Sequence, residues 1–396
     1  VAGSLMDAAT RAQLEPYRLA RMATDNDILP LAAQQVLGVA VTPTIVWGVT
    51  APLTDEYVLT ATELYEFEVA RATVNAAITG AVAALGSDRV AVADFDGDGS
   101  LDIYMVGMGS TTARRLAGLG LGEKGFEHLE AAPDMGYGNR LLLGDGKGRF
   151  LQAPYNDRLA RTGWSWGCST WDFDNDGDRD LYVANGMLSA RSAQDYCTTF
   201  WRHDIRDGGS TERLLMQEVY NRCMKGLGKE VSWNGYEHNA LLLNEGEGMY
   251  LNVGYLLGVG FEFDSRSVVA TDLDADGLTD LMVVQMDQLT DRHRTGRAEH
   301  YLHLVRNQMP KAGNWLVVQF LPAQNPVGTV VTLKSKGQTQ VMPLVTGDSY
   351  NAQHPARIHF GLGQADSVAE VLIEQPGREP VRWNNPAINQ VHLVKP

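Results

Sequence analysis

Five aspartates crowd into the first nine residues of DFDNDGDRDLYV, which begins at Asp172. The same spacing returns in DFDGDGSLDIYMVG from Asp94 and in DLDADGLTDLMVVQ from Asp272. Like charges at this density repel, so a fold that holds them must leave them in water or neutralise them with a cation. Each copy follows a short apolar stretch (VAVA, CSTW, SVVAT) and runs into an apolar or alternating segment of strand length. A merely solvated turn has no reason to keep one spacing three times. That favours the cation.

The shared pattern is D-x-D-x-D-G-x-x-D. Alternate residues of a tight loop point inward, so positions one, three and five can share an ion. Glycine at six permits the bend, position seven offers a carbonyl and position nine adds a carboxylate. An all-oxygen set of this kind suits calcium better than magnesium, which resists a flexible protein cage. The expected ligands are Asp94, Asp96, Asp98 and Asp102, then Asp172, Asp174, Asp176 and Asp180, then Asp272, Asp274, Asp276 and Asp280. Position seven is Ser100, Asp178 and Leu278; the leucine side chain cannot ligate, so a backbone role is expected there. An EF-hand is excluded, because position twelve is Met105, Val183 and Val283 rather than Glu, and strands flank the loops. About three structural Ca2+ ions are expected, and chelation should loosen the fold.

A second unit recurs downstream: NRLLLGDGKGRFLQ from Asn139 and HNALLLNEGEGMYLN from His238 each read as strand, Gly-rich turn and strand. A weaker third copy, HLVRNQMP, follows from His303. Acidic loop, strand, insertion and hairpin, repeated, read as blades of a β-propeller. The repeats span 88–310, with insertions at 108–137 and 187–235; the larger carries a helix-like TERLLMQEVYNRCMKGLG. Residues 1–87 look helical around a strand-like stretch, with one degenerate blade expected. Three blades cannot close a propeller, so the sequence leaves the blade count open. From 314 to 396, short strands punctuated by Gly, Pro and Asn read as a separate small β domain of sandwich type. The expected class is mainly β.

The formal charge of −15 argues against a nucleic-acid partner, and no cluster of Lys and Arg offsets it. The uncharged stretch 28–53 has the length of a membrane span, but Pro30, Pro43 and Pro52 divide it and its β-branched residues suit strands. No transmembrane span is expected. The chain begins at Val1 rather than Met, which points to a preceding segment. Of three cysteines, Cys168 reads as a small buried hydrophobe, while Cys197 and Cys223 either staple one insertion or stay free.

The acidic loops resemble the FG-GAP or VCBS repeats of calcium-binding β-propellers such as integrin α subunits. GWSWGCSTWDFDNDGDRDLYVANG, HNALLLNEGEG and SRSVVATDLDADGLTDL resemble blades of the family related to cartilage acidic protein. NWLVVQF, NPVGTVVTL, GDSYNAQ, RIHFGLG and NQVHLV resemble the ASPIC/UnbV domain that ends such proteins. The sequence departs from that family in its first ninety residues and in EQPGRE, where Gln375 stands in place of Trp. The resemblance implies a secreted or periplasmic calcium-binding protein, with an extracellular or periplasmic complex as one setting. It implies little about activity, since fold does not fix chemistry.

No stretch places a nucleophile, base and oxyanion donor together. His203 and Asp204 are adjacent, and adjacent side chains rarely face each other. His300 and His303 would share a metal from a helix but diverge on the strand that HLVRNQ suggests. The expectation is a recognition or scaffold protein that contacts a protein or glycan through its propeller face and insertions. Trp201, His203, Tyr236 and His238 are the candidate contact residues. The alternative is an enzyme acting on polysaccharide or in natural-product biosynthesis.

Overall fold

The computed structural model describes residues 89–121, 127–206, 213–262, 264–287, 299–310, 312–321, 326 and 328–395. The helical region and degenerate blade expected over 1–87 lie outside the described residues.

Each acidic loop is the turn of an antiparallel hairpin. Strands β1 (Val90–Ala93) and β2 (Asp102–Met105) flank the first, β5 (Ser165–Trp171) and β6 (Asp180–Asn185) the second, and β9 (Ser265–Thr271) and β10 (Asp280–Asp287) the third. The register is the same in all three: Ala93 pairs with Asp102, Trp171 with Asp180 and Thr271 with Asp280. The Gly-rich hairpins β3 (Arg140–Gly144) with β4 (Phe150–Gln152), and β7 (Ala240–Asn244) with β8 (Tyr250–Asn252), complete two four-stranded meanders. The third sheet pairs β10 with β11 (Glu299–Val305) and has no fourth strand among the described residues. The inner strands β1, β5 and β9 pack side by side, as in propeller blades.

Neighbouring blades cover both faces of the second strands, so DIYM and DLYVAN are buried throughout. Their buried tyrosines need partners. Asn139 Nδ2 donates to Tyr104 Oη at 2.8 Å, and Asn239 Nδ2 donates to Tyr182 Oη at 3.0 Å. The hydroxyls in turn donate to the carbonyls of Leu159 and Val259. By register, the third blade carries Met282 and Leu302 at these places, an apolar pair instead of a polar one.

The insertions leave from the strand ends opposite the acidic turns, so they build the other face of the blades. The first holds α1 (Thr111–Gly118) and α2 (Glu127–Met135), the second α3 (Cys197–Arg206) and the expected helix, α4 (Leu214–Met224). Helices α1, α2 and α3 meet over a small core of Ala113, Ala132, Cys197 and Trp201. All three cysteines are free thiols, so no Cys197–Cys223 staple forms. Cys168 is buried as expected.

The C-terminal region contains two sheets. Strand β12 (Asn314–Gln319) lies between β15 (Arg357–Gly363) and a parallel β18 (Val391–Leu393). The other runs β14 (Gln338–Pro343), β13 (Val330–Ser335), β16 (Val368–Glu374), β17 (Val381–Asn384). Leu316, Val318, Val331, Leu333, Phe360 and Val371 fill the space between them. This domain is not separate, as its composition suggested. Its core is continuous with Ala91, Tyr104 and Leu181 of the blades, so burial of shared apolar surface fixes its position.

Candidate metal centre

The position-one aspartates are held by loop amides. Asp94 accepts from Gly97 N and Gly99 N at 2.9 Å each, and Asp172 from Asp176 N at 3.0 Å and Gly177 N at 2.8 Å. Asp272 Oδ2 accepts from Gly277 N at 3.0 Å, while its buried Oδ1 makes no hydrogen bond of ordinary geometry. Glycine at position six takes the left-handed backbone in every copy (Gly99 φ 88°, Gly177 φ 107°, Gly277 φ 88°). Position four is also left-handed, at Gly97, Asn175 and Ala275, a demand the motif alone did not reveal.

Position five is an Asx turn. Asp98, Asp176 and Asp276 each accept from the amide two residues on with Oδ1, leaving Oδ2 outside that bond. Position nine is a staple. Asp102 accepts from Phe95 N and Gly144 N, Asp180 from Phe173 N and Asn244 N, and Asp280 from Leu273 N and Asn307 N. Oδ2 closes the acidic loop on itself, and Oδ1 ties it to β3, to β7 or to the segment just after β11. The sequence reading assigned this residue only to the ion.

Carboxylate oxygens converge within 4.8 Å in three groups: Asp94, Asp96 and Asp102; Asp172, Asp174 and Asp180; Asp272, Asp274 and Asp276. Asp98, Asp176 and Asp280 stand outside these groups. At position seven all three amides donate to the position-five aspartate, and Asp178 alone adds a carboxylate, whose Oδ1 is buried without a hydrogen bond. Burial raises the carboxyls of Asp102 and Asp172 to about 7 and that of Asp178 to about 8, where Asp176, Asp172 and Asp174 add to the shift. The clusters hold more negative charge than their own surroundings neutralise. Oxygen-only donors, orphaned carboxylate oxygens and buried charge fit a hard divalent cation.

The loops differ in their surroundings. The C-terminal domain seats on the second: Gly313 N donates to Asp174 O, Gly363 N to Asn175 O, and His359 Nε2 lies 2.8 Å from Asn175 Oδ1. Asn175 Nδ2 also donates to Gly277 O of the third loop. In the third loop Arg306 pairs with Asp274, and with Asp276 at 3.1 Å. A guanidinium there already supplies one positive charge.

The contact candidates do not form one site. Trp201 is 2% exposed and packs inside the insertion core, so its ring is not open to a partner. His203 lies near Tyr220, Tyr236 donates its hydroxyl to Ala190 O, and exposed His238 pairs with Glu262 at 3.3 Å. His300 and His303 lie on strand β11 and therefore diverge; His303 stacks on Phe261 and reaches Gln285.

Residues 322–396 match the family described as ASPIC and UnbV. No curated protein in the comparison matches the chain. The chain is a mainly β protein of propeller-type blades that ends in an ASPIC/UnbV domain.

Proposed function

We propose that this chain is a recognition or scaffold protein whose blades are held by calcium and whose insertion face contacts a protein or glycan. The observation that carries the reading is the recurrence of convergent carboxylates in the turns of three hairpins. About three ions, one per loop, would offset this charge and tie each turn to the next strand. The ions act at one end of the blades and the insertions are displayed at the other, which separates stability from recognition. No described helix is long and apolar enough to cross a membrane. A secreted or periplasmic setting, where calcium is abundant, completes the proposal.

Calorimetry with added CaCl2 or EGTA tests the metal half. Calcium is expected to raise Tm, and a Tm indifferent to both sinks it. Capture from the native source with and without EGTA tests the recognition half, and a partner retained only with calcium is the expected result.

A further inference from the structure

The third blade repeats the register of the first two but not their burial. Leu141, Leu241 and Leu304 stand at one place, each paired with the residue two beyond its position-nine aspartate. Leu141 and Leu241 are buried, whereas Leu304 is 63% exposed. Leu302, at the place of the buried Asn139 and Asn239, is 58% exposed, and Leu273, at the place of the buried Phe95, is 50% exposed. Met282 and Val284, which pair with Leu304 and Leu302 from β10, are half-buried.

In the earlier blades the next blade covers this face. Tyr104 and Leu141 share a core with Leu181 and Val183 of the second blade, and Tyr182 and Leu241 share one with Leu281 and Val283 of the third. A contiguous apolar sheet face in water is unfavourable, so the third face calls for a cover of the same aliphatic kind. A second signal lies at the neighbouring outer edge. Tyr155, three residues beyond β4, stacks on Tyr250 of β8 with ring centroids 6.3 Å apart, and Arg158 donates to Gly248 O at 2.7 Å. Tyr255, three residues beyond β8, is 81% exposed, and the third sheet has no fourth strand among the described residues to receive it.

Chain length and entry point identify the occupant. The acidic turn recurs at Asp94, Asp172 and Asp272, so the residues that precede β1, 1–88, are about one repeat long. They join the described fold beside the third blade: Arg89 lies over the Trp166 ring at 4.4 Å, and Arg266 of β9 lies over the same ring at 4.2 Å. Their uncharged run, 28–53, suits an apolar surface. Tethering holds them near it at an effective concentration of roughly millimolar, which favours them over a free partner.

We propose that residues 1–88 of the same chain cover this face of the third blade, packing on Leu273, Leu302, Leu304 and Tyr255. The test is photo-crosslinking of the full chain in calcium, with benzoylphenylalanine in place of Leu304 and peptide mapping of the links. Links within one chain to peptides from 1–88 are expected. Limited trypsinolysis gives a second readout. Leu304→Asp puts a charge on the face without altering a buried side chain, and is expected to speed cleavage after Arg71 about 10-fold. Leu151→Asp, at a leucine 77% exposed on the outer strand of the first blade, is expected to leave that rate unchanged. Links between two chains would assign the face to a second copy and overturn the cover. Links only to residues outside 1–88, no link at all, or equal cleavage of the two variants would also overturn it. Any of these failures leaves the calcium and recognition readings intact.

Discussion

Position four of the acidic loop shows how much one backbone angle carries. Gly97 adopts its φ of 74° freely, and Asn175 tolerates 59° while bonding to Gly277 and His359. Ala275 holds 61° with neither advantage. Left-handed backbone costs an L-residue roughly 1–2 kcal/mol, so Ala275→Gly is expected to stabilise by about 1 kcal/mol after its added unfolded-state entropy. Urea denaturation checks this, and a loss of stability would contradict it. Gly277→Ala should do the reverse, because φ is 88° and a Cβ would lie 2.0 Å from Trp315 Nε1. The glycine at position six was legible in the motif. The demand at position four was not, because Gly, Asn and Ala share no side-chain chemistry and only the dihedral angle unites them.

In the third hairpin, unlike the first two, the converging group and the staple are different residues. Asp274 belongs to the converging group of the third loop, whereas Asp280 spends both oxygens on the amides of Leu273 and Asn307. Asp280→Asn leaves one of those amides facing a donor and is expected to cost about 1–3 kcal/mol. Asp274→Asn is expected to remove one ion from the calcium stoichiometry with a smaller effect on metal-free stability. Isothermal titration and denaturation in EGTA separate the two, and equal effects would refute the division. Arg306 adds a third expectation: Arg306→Ala should tighten calcium at that loop by removing the competing charge. The insertion helix α4 was readable from its apolar spacing. The burial of Trp201 was not, since an aromatic residue on a loop-like stretch looks the same whether it faces solvent or α1.

Across the molecule, the C-terminal domain and the blades share one core, so they are expected to melt together. A calorimetric transition belonging to residues 314–396 alone would overturn that. His354 and Asp348 form a buried ion pair at 2.6 Å beside the inner strands. Burial alone would lower His354, but Asp348 and the Ala270 carbonyl outweigh it and hold the imidazole above its ordinary 6.5. A raised histidine stabilises fully below the unfolded value and loses that contribution as pH climbs through the folded one. Stability is therefore expected to fall above about pH 6.5, and His354→Gln should flatten that fall. Melting curves from pH 6 to 9 decide it.

The residues alone determined what is local: the three acidic turns, the strands on either side, the Gly-rich hairpins and the change of character near Asn314. Turn chemistry and hydrophobic period act between near neighbours, so they survive in one dimension. Tertiary structure decided which oxygens converge, that position nine is a staple, and that Asn175 receives the C-terminal domain. Each of these joins groups far apart in the chain, and only the packing of blades against one another brings them within reach.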